Sequence, residues 1–267
     1  MFERFTLIAG PCLVEDEGLN LEVGEALARL ASDLDIPIVF KASFDKANRS
    51  KLDAPRGPGL TEGLRLLERV RASTGLPLVT DVHEPGQCAP VSEVVDVLQI
   101  PAFLCRQTDL VVAAAATGCV VNLKKGQWMD PEGMAHQVDK AQAAGAERVT
   151  VTERGAFFGY GDLVVDMRSF QRIRAAADVP VLFDGTHSVQ RPGMRGGASG
   201  GDPEYTPALV RAAVAAGCDG LFIETHPRPS EAPSDATNMI PLPALRPLIE
   251  DVLSIREALG WPTTAQS

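Results

Sequence analysis

Residues 218–226 read CDGLFIETH, a short apolar run that opens on glycine and closes on three side chains able to do chemistry. Seven other segments share that form: TLIAGPC from Thr6, IPIVFKAS from Ile36, LPLVTDVH from Leu76, VDVLQIPA from Val95, CVVNLKK from Cys119, RVTVTERG from Arg148 and VPVLFDGTH from Val179. Each is rich in Val, Ile, Leu or Phe, as a strand buried on both faces must be. Helical patterns follow at 19–33, 61–73, 106–117, 131–144, 167–177, 205–216 and 244–259, with a shorter one at 87–94. Several stop on glycine (Gly118, Gly145, Gly217, Gly260), the usual C-terminal signal. Eight strand–helix units with reactive residues at the strand C-termini predict an α/β fold, a TIM (β/α)8 barrel spanning residues 1–267 as one domain.

The length of 267 residues suits one such barrel. A composition of 45% hydrophobic and 22% charged residues is that of an ordinary soluble globular chain. The net charge of -10 argues against nucleic acid or an anionic membrane as partner, since both require a basic footprint. No basic-then-apolar leader precedes Thr6, and no apolar run is long enough to span a bilayer. Five scattered cysteines suggest reduced thiols rather than a disulfide framework, and a cytoplasmic location is expected.

Three stretches lack a strong helix or strand pattern: 44–59, 188–203 and 227–241, after the second, seventh and eighth runs. Loops this long are usually functional, and these belong over the catalytic mouth. The second carries five glycines and reads as a mobile lid. Strand alternation sorts the reactive residues. It turns Lys41 and Ser43, Asn122 and Lys124, Thr150, Thr152 and Arg154, and Glu224 and His226 toward the barrel interior. Inward cations in a dry cavity need an anion to offset them. Asp81, Glu153 and Asp184 could neutralise Lys41, Lys124 and Arg154 one by one, but the set at several strand ends fits an anionic ligand better. Just above, KANRS adds Lys46, Asn48, Arg49 and Ser50, a mix of fork and hydroxyl donors suited to phosphate.

Cys12, His187, Glu224 and Asp235 come from the first, seventh and eighth strand ends and the last loop. Neighbours in a closed barrel, they could surround one ion with sulfur, nitrogen and oxygen ligands. His226 competes with His187, because it shares the inner face with Glu224.

In order, IAGPC, KASFDKANRS, RGPGL, TDVHE, LQIPAFLCRQTDL, NLKKGQ, TERG, FGYGDLVVDMRS, DGTHSVQ and ETHPRPSEAPSDA cover almost the whole chain. Together they resemble the 3-deoxy-D-manno-octulosonate 8-phosphate synthase family of TIM-barrel transferases. That resemblance implies condensation of phosphoenolpyruvate with D-arabinose 5-phosphate, releasing phosphate, on the route to the Kdo sugar of lipopolysaccharide. Cys12 stands where metal-independent members carry Asn, and SDATN around Asp235 also departs from their SDGP form, so the chain resembles the metal-dependent class. The implied metal ligands are Cys12, His187, Glu224 and Asp235, which prefers His187 over His226 by analogy. The implied ion is divalent: zinc, iron(II), manganese, cobalt or cadmium. Lys41, Lys46, Gln99, Lys124 and Arg154 would surround phosphoenolpyruvate, and Asn48, Arg49 and Ser50 would hold the aldose. His187, Asp235 and Lys124 would act in catalysis, within a homotetramer. Lys51 and the RPGMRGG lid depart from the family pattern.

Two rivals remain. A 3-deoxy-D-arabino-heptulosonate 7-phosphate synthase would use erythrose 4-phosphate, but that family carries KPRTS-like residues in place of KANRS. A barrel that only binds sugar phosphates would lack turnover.

Overall fold

The computed structural model describes residues 1–48, 52–195 and 198–261, with 192–195 and 198–199 described as backbone only. Arg49, Ser50 and Lys51 lie outside the described residues. Eight strands close into a parallel barrel: β1 (Thr6–Gly10), β2 (Ile38–Lys41), β3 (Leu78–Asp81), β4 (Val97–Ile100), β5 (Val120–Lys124), β6 (Val149–Glu153), β7 (Val181–Asp184) and β10 (Gly220–His226). Closure comes from β10 pairing with β1, in a register running from Thr6 opposite Gly220 to Gly10 opposite Glu224. Helices alternate with them: α1 (Glu17–Leu34), α2 (Leu60–Thr74), α3 (Pro85–Ser92), α4 (Thr108–Ala115), α5 (Ala135–Ala143), α6 (Ser169–Ala177), α7 (Thr206–Ala215) and α8 (Leu242–Ala258). None is long and apolar enough to cross a membrane.

Alternation builds two cores from the same strands. Outward residues such as Leu7, Phe40, Leu98, Val121, Val151, Phe183 and Ile223 pack beneath the helices. Inward residues Ile8, Val39, Val79, Val97, Val120, Leu182 and Phe222, joined by Phe2, plug the N-terminal half of the barrel. One inward step further along each strand the residues turn polar: Lys41, Asp81, Gln99, Asn122, Thr152, Asp184 and Glu224, all buried. The apolar plug therefore forms the floor of a polar chamber open toward the strand C-termini.

Gly10 occupies the inward position of β1 at that level. Its φ is +154°, and a Cβ there would lie 2.1 Å from the Lys41 carbonyl oxygen. Gly10→Ala must therefore separate β1 from β2. It is expected to lower stability by about 3 kcal/mol, as overpacking in a rigid interior does. A urea midpoint equal to the parent's would contradict that packing.

Two features differ from the pattern read in the sequence. Residues 188–203 are not plain loop: β8 (Gln190–Arg195) pairs antiparallel with β9 (Ala198–Gly201). Glycine-rich ribbon strands with no apolar alternation leave no periodic trace, so only the pairing reveals them. The last loop also holds the short strand β11 (Ile240–Pro241), which pairs with β10. Two helices for which the sequence offered no glycine stop end otherwise. α1 and α6 stop on the left-handed residues Asp35 (φ 49°) and Asp178 (φ 50°), where glycine is the commoner signal.

Candidate active site

Four cations project into the chamber, and their partners sort them. Lys41, from the end of β2, donates to Glu224 Oε1 at 2.6 Å and to the Cys12 carbonyl at 3.1 Å. Lys124, from β5, bonds Asp184 Oδ2 and lies 3.5 Å above the Phe222 ring. Lys46 donates to the Ser43 hydroxyl at 3.0 Å. Burial opposes its charge, but Cys12, once its thiol ionises at high pH, and the carboxylates of Glu224, Asp81 and Asp235 lift its pKa above the ordinary lysine value.

Arg154 differs from the lysines. It is 4% exposed and reaches from the end of β6 to the β8 hairpin, where Nη2 donates to Gln190 Oε1 at 2.7 Å. Its Nη1 is buried without a hydrogen-bond partner, and among the described residues no carboxylate forms an ion pair with it. A buried guanidinium with a free fork edge invites a bidentate anion.

Of the three carboxylates the sequence offered to these cations, Asp184 takes Lys124, whereas Lys41 is taken by Glu224, which was not among them. Glu153 faces outward and meets Lys125 at 3.4 Å. Asp81 accepts the Ser43 hydroxyl and, at 2.6 Å, the Gln99 amide. Gln99 in turn accepts from Asn122 at 2.9 Å, and the Asn122 carbonyl oxygen receives the hydroxyls of Thr150 and Thr152. Gln99 thus spans the chamber floor with both ends of its amide engaged.

Cys12, Glu224 and Asp235, against which Lys41 rests, bring ligand atoms within 4.8 Å of one another. The Cys12 thiol is 3.0 Å from Asp235 Oδ2 and 3.1 Å from the Ser234 hydroxyl. His187 stands beside this trio, with Nε2 3.7 Å from Glu224 Oε2. Its Nδ1 lies 2.8 Å from Asp184 Oδ2, so the proton belongs on Nδ1 and the Nε2 lone pair faces Glu224. Glu224 Oε2 is itself buried without a hydrogen-bond partner.

Two acceptors confront each other there across a gap too long for a hydrogen bond. Thiol, imidazole and carboxylates around an orphaned oxygen fit a divalent cation. The electrostatics agree. Burial opposes charge on Asp235 and Glu224, yet the ammonium groups of Lys41 and Lys46 help hold both below the usual carboxylate range, and His187 adds to this only when its ring is protonated. Burial and the Glu224 charge push the Cys12 thiol well up.

His226, the competing histidine, turns away. Its Nε2 is 3.2 Å from Glu15, and its Nδ1 accepts the Arg228 backbone N–H at 2.9 Å. The β1–β10 register ends at Gly10 and Glu224, and His226, beyond it, pairs with Pro241 of β11 rather than with a barrel strand. Asn48 is exposed, at the edge of the described segment. Sequence reading missed Gln190, which joins Arg154 to Asp235 by accepting from one and donating to the other at 3.1 Å. Its only sequence signal was its place in DGTHSVQ.

The description "DAHP synthetase I family" fits residues 3–255. A Cyanothece protein, 2-dehydro-3-deoxyphosphooctonate aldolase, is 51% identical over 97% of this chain and 94% of its own. Proteins of the same name are 54% identical in Bradyrhizobium diazoefficiens, over 93% of this chain and 88% of theirs, and 53% identical in Geobacter metallireducens, over 93% and 91%. With the octulosonate name on relatives that align nearly end to end, the chain belongs to the DAHP synthetase I family and, within it, to the 2-dehydro-3-deoxyphosphooctonate aldolases.

Proposed function

We propose that this chain condenses phosphoenolpyruvate with D-arabinose 5-phosphate and water to give 3-deoxy-D-manno-octulosonate 8-phosphate and phosphate. The unpartnered Nη1 of buried Arg154, whose Gln190 partner reaches Asp235 of the Cys12–Glu224–Asp235 cluster, is the observation that carries this reading. Arg154 and Lys124 grip the phosphate and carboxylate of phosphoenolpyruvate from fixed positions, so no reorganisation is needed as charge develops. Lys41 and Lys46 border the chamber, and Gln99 sets its floor. Asn48, Arg49 and Ser50 hold the aldose through its phosphate.

Carbon 3 of phosphoenolpyruvate forms a bond to the aldehyde carbon, and the aldehyde oxygen gains a proton. Water then adds to carbon 2, which has acquired positive character. The resulting hemiketal phosphate loses inorganic phosphate by carbon–oxygen cleavage, leaving the ketone. Asp235, kept ionised by Lys46 and Lys41 despite its burial, accepts the proton that the water releases. Lys124 donates a hydrogen bond to the departing phosphate. The hairpin of β8 and β9 excludes stray water.

Cys12, His187, Glu224 and Asp235 would hold a divalent ion: zinc, iron(II), manganese, cobalt or cadmium, as availability decides. Bound there, it supplies Lewis acidity toward an oxygen of the aldose or the attacking water. A cytoplasmic homotetramer completes the reading, and light scattering on the purified protein should return the mass of four chains.

Phosphate release with each aldose tests the reaction. Arabinose 5-phosphate should exceed erythrose 4-phosphate in kcat/KM by at least about 100-fold, because the shorter sugar strands hydrogen-bonding groups in the pocket. Equal rates would favour the heptulosonate rival, and binding without turnover would favour the non-catalytic barrel.

A further inference from the structure

Asp184 is fully buried at the end of β7. Its Oδ1 accepts the His187 backbone N–H at 2.9 Å. Its Oδ2 takes two donors at once, the His187 ring through Nδ1 at 2.8 Å and the Lys124 ammonium. Those donors carry different roles in the function proposed above: His187 faces Glu224 of the metal cluster, and Lys124 is assigned to phosphoenolpyruvate. Both also rest on one ring: Phe222 lies 3.5 Å below the Lys124 nitrogen and 5.9 Å from the His187 ring centroid. A single oxygen therefore fixes the spacing between the two arms and the tautomer of one of them.

We propose that Asp184 is a positioning residue that sets the metal arm and the phosphoenolpyruvate arm together, holding His187 Nε2 as a lone pair and Lys124 in place through one carboxylate oxygen. This rests on the function proposed above. An amide in place of the carboxylate shows what is at stake. If its N–H₂ faces His187, Nδ1 must become an acceptor and the proton moves to Nε2, which can then no longer ligate. If its oxygen faces His187 instead, the negative charge opposite Lys124 is still gone, and that lysine is freed to move.

The experiment compares Asp184→Asn with the parent as full-length protein stripped of metal. Cobalt(II) is titrated in the absence of substrate and its ligand-field absorption recorded. Kinetics then follow at saturating metal. Asp184→Asn should bind cobalt about 10–100-fold more weakly, as loss of a partner behind a ligand does, with an altered absorption band. Its KM for phosphoenolpyruvate should rise at least about 10-fold while KM for the aldose holds. Controls separate the arms: Lys124→Met should move only phosphoenolpyruvate, and His187→Ala should move cobalt while leaving that KM near the parent's.

A role in stability alone would lower the melting temperature with the cobalt spectrum and both KM values unchanged, and that result overturns the proposal. So does a change on one arm only. If Asp184→Asn does not fold, Asp184→Glu, which keeps the charge but displaces it by one methylene, must show the same double effect. A parent that neither binds cobalt nor releases phosphate removes the functional reading underneath. A competent parent beside an unaffected variant removes only the role of Asp184.

Discussion

Arg154→Ala is expected to lower kcat/KM for phosphoenolpyruvate by about 100- to 1,000-fold. The guanidinium is buried, its Nη1 is unsatisfied, and among the described residues no carboxylate neutralises it. A bound phosphate or carboxylate would complete a desolvated, charge-assisted pair, and losing one partner of such a pair costs about 2–5 kcal/mol. At 1.36 kcal/mol per decade, that cost spans about 30- to 5,000-fold, which brackets the range given. Arg154→Lys keeps the charge but not the fork, so it should recover only part of the loss. The variant also frees Gln190 Oε1 from its donor, which loosens the base of the β8 hairpin. Steady-state kinetics with phosphoenolpyruvate varied settle the matter: parent-like values for Arg154→Ala would place the anion elsewhere.

Removing the metal should have the second large effect. Chelation is expected to bring phosphate release down to background, with recovery on adding a divalent ion. Cys12→Ala should weaken cobalt binding by more than about 100-fold, beyond the 10–100-fold that loss of an outer partner produces. A pH dependence follows, with a definite sign. Burial and Glu224 raise the pKa of the metal-free thiol, so Cys12 is protonated at neutral pH. Binding needs the thiolate and must expel that proton, so affinity should rise about tenfold per pH unit until the thiol ionises unaided. Direct cobalt titrations at several pH values measure the slope. Activity that survives chelation unchanged, or affinity independent of pH, would rule out a thiolate-bound ion.

Much of this was legible in the linear chain. The eight apolar runs marked every barrel strand, because a strand covered on both faces must be apolar along most of its length. Alternation within them turned Lys41, Asn122, Lys124 and Glu224 inward, and the structure has them there. The β8–β9 hairpin left no trace, since ribbon strands rich in glycine carry no hydrophobic period. His187 and His226 could not be separated by period either. Both follow a strand, and only the end of the β1–β10 register leaves His226 free to turn toward Glu15.

From the order of residues alone came the barrel, the end of it that gathers polar side chains and several of those side chains, because strand period and strand-end chemistry are local properties. Folding in three dimensions decided the pairings: Glu224 for Lys41, Asp184 shared by His187 and Lys124, and an Arg154 with no direct ion pair among the described residues. Pairing depends on ångström distances between strands far apart in sequence, and closure of the barrel is what sets them.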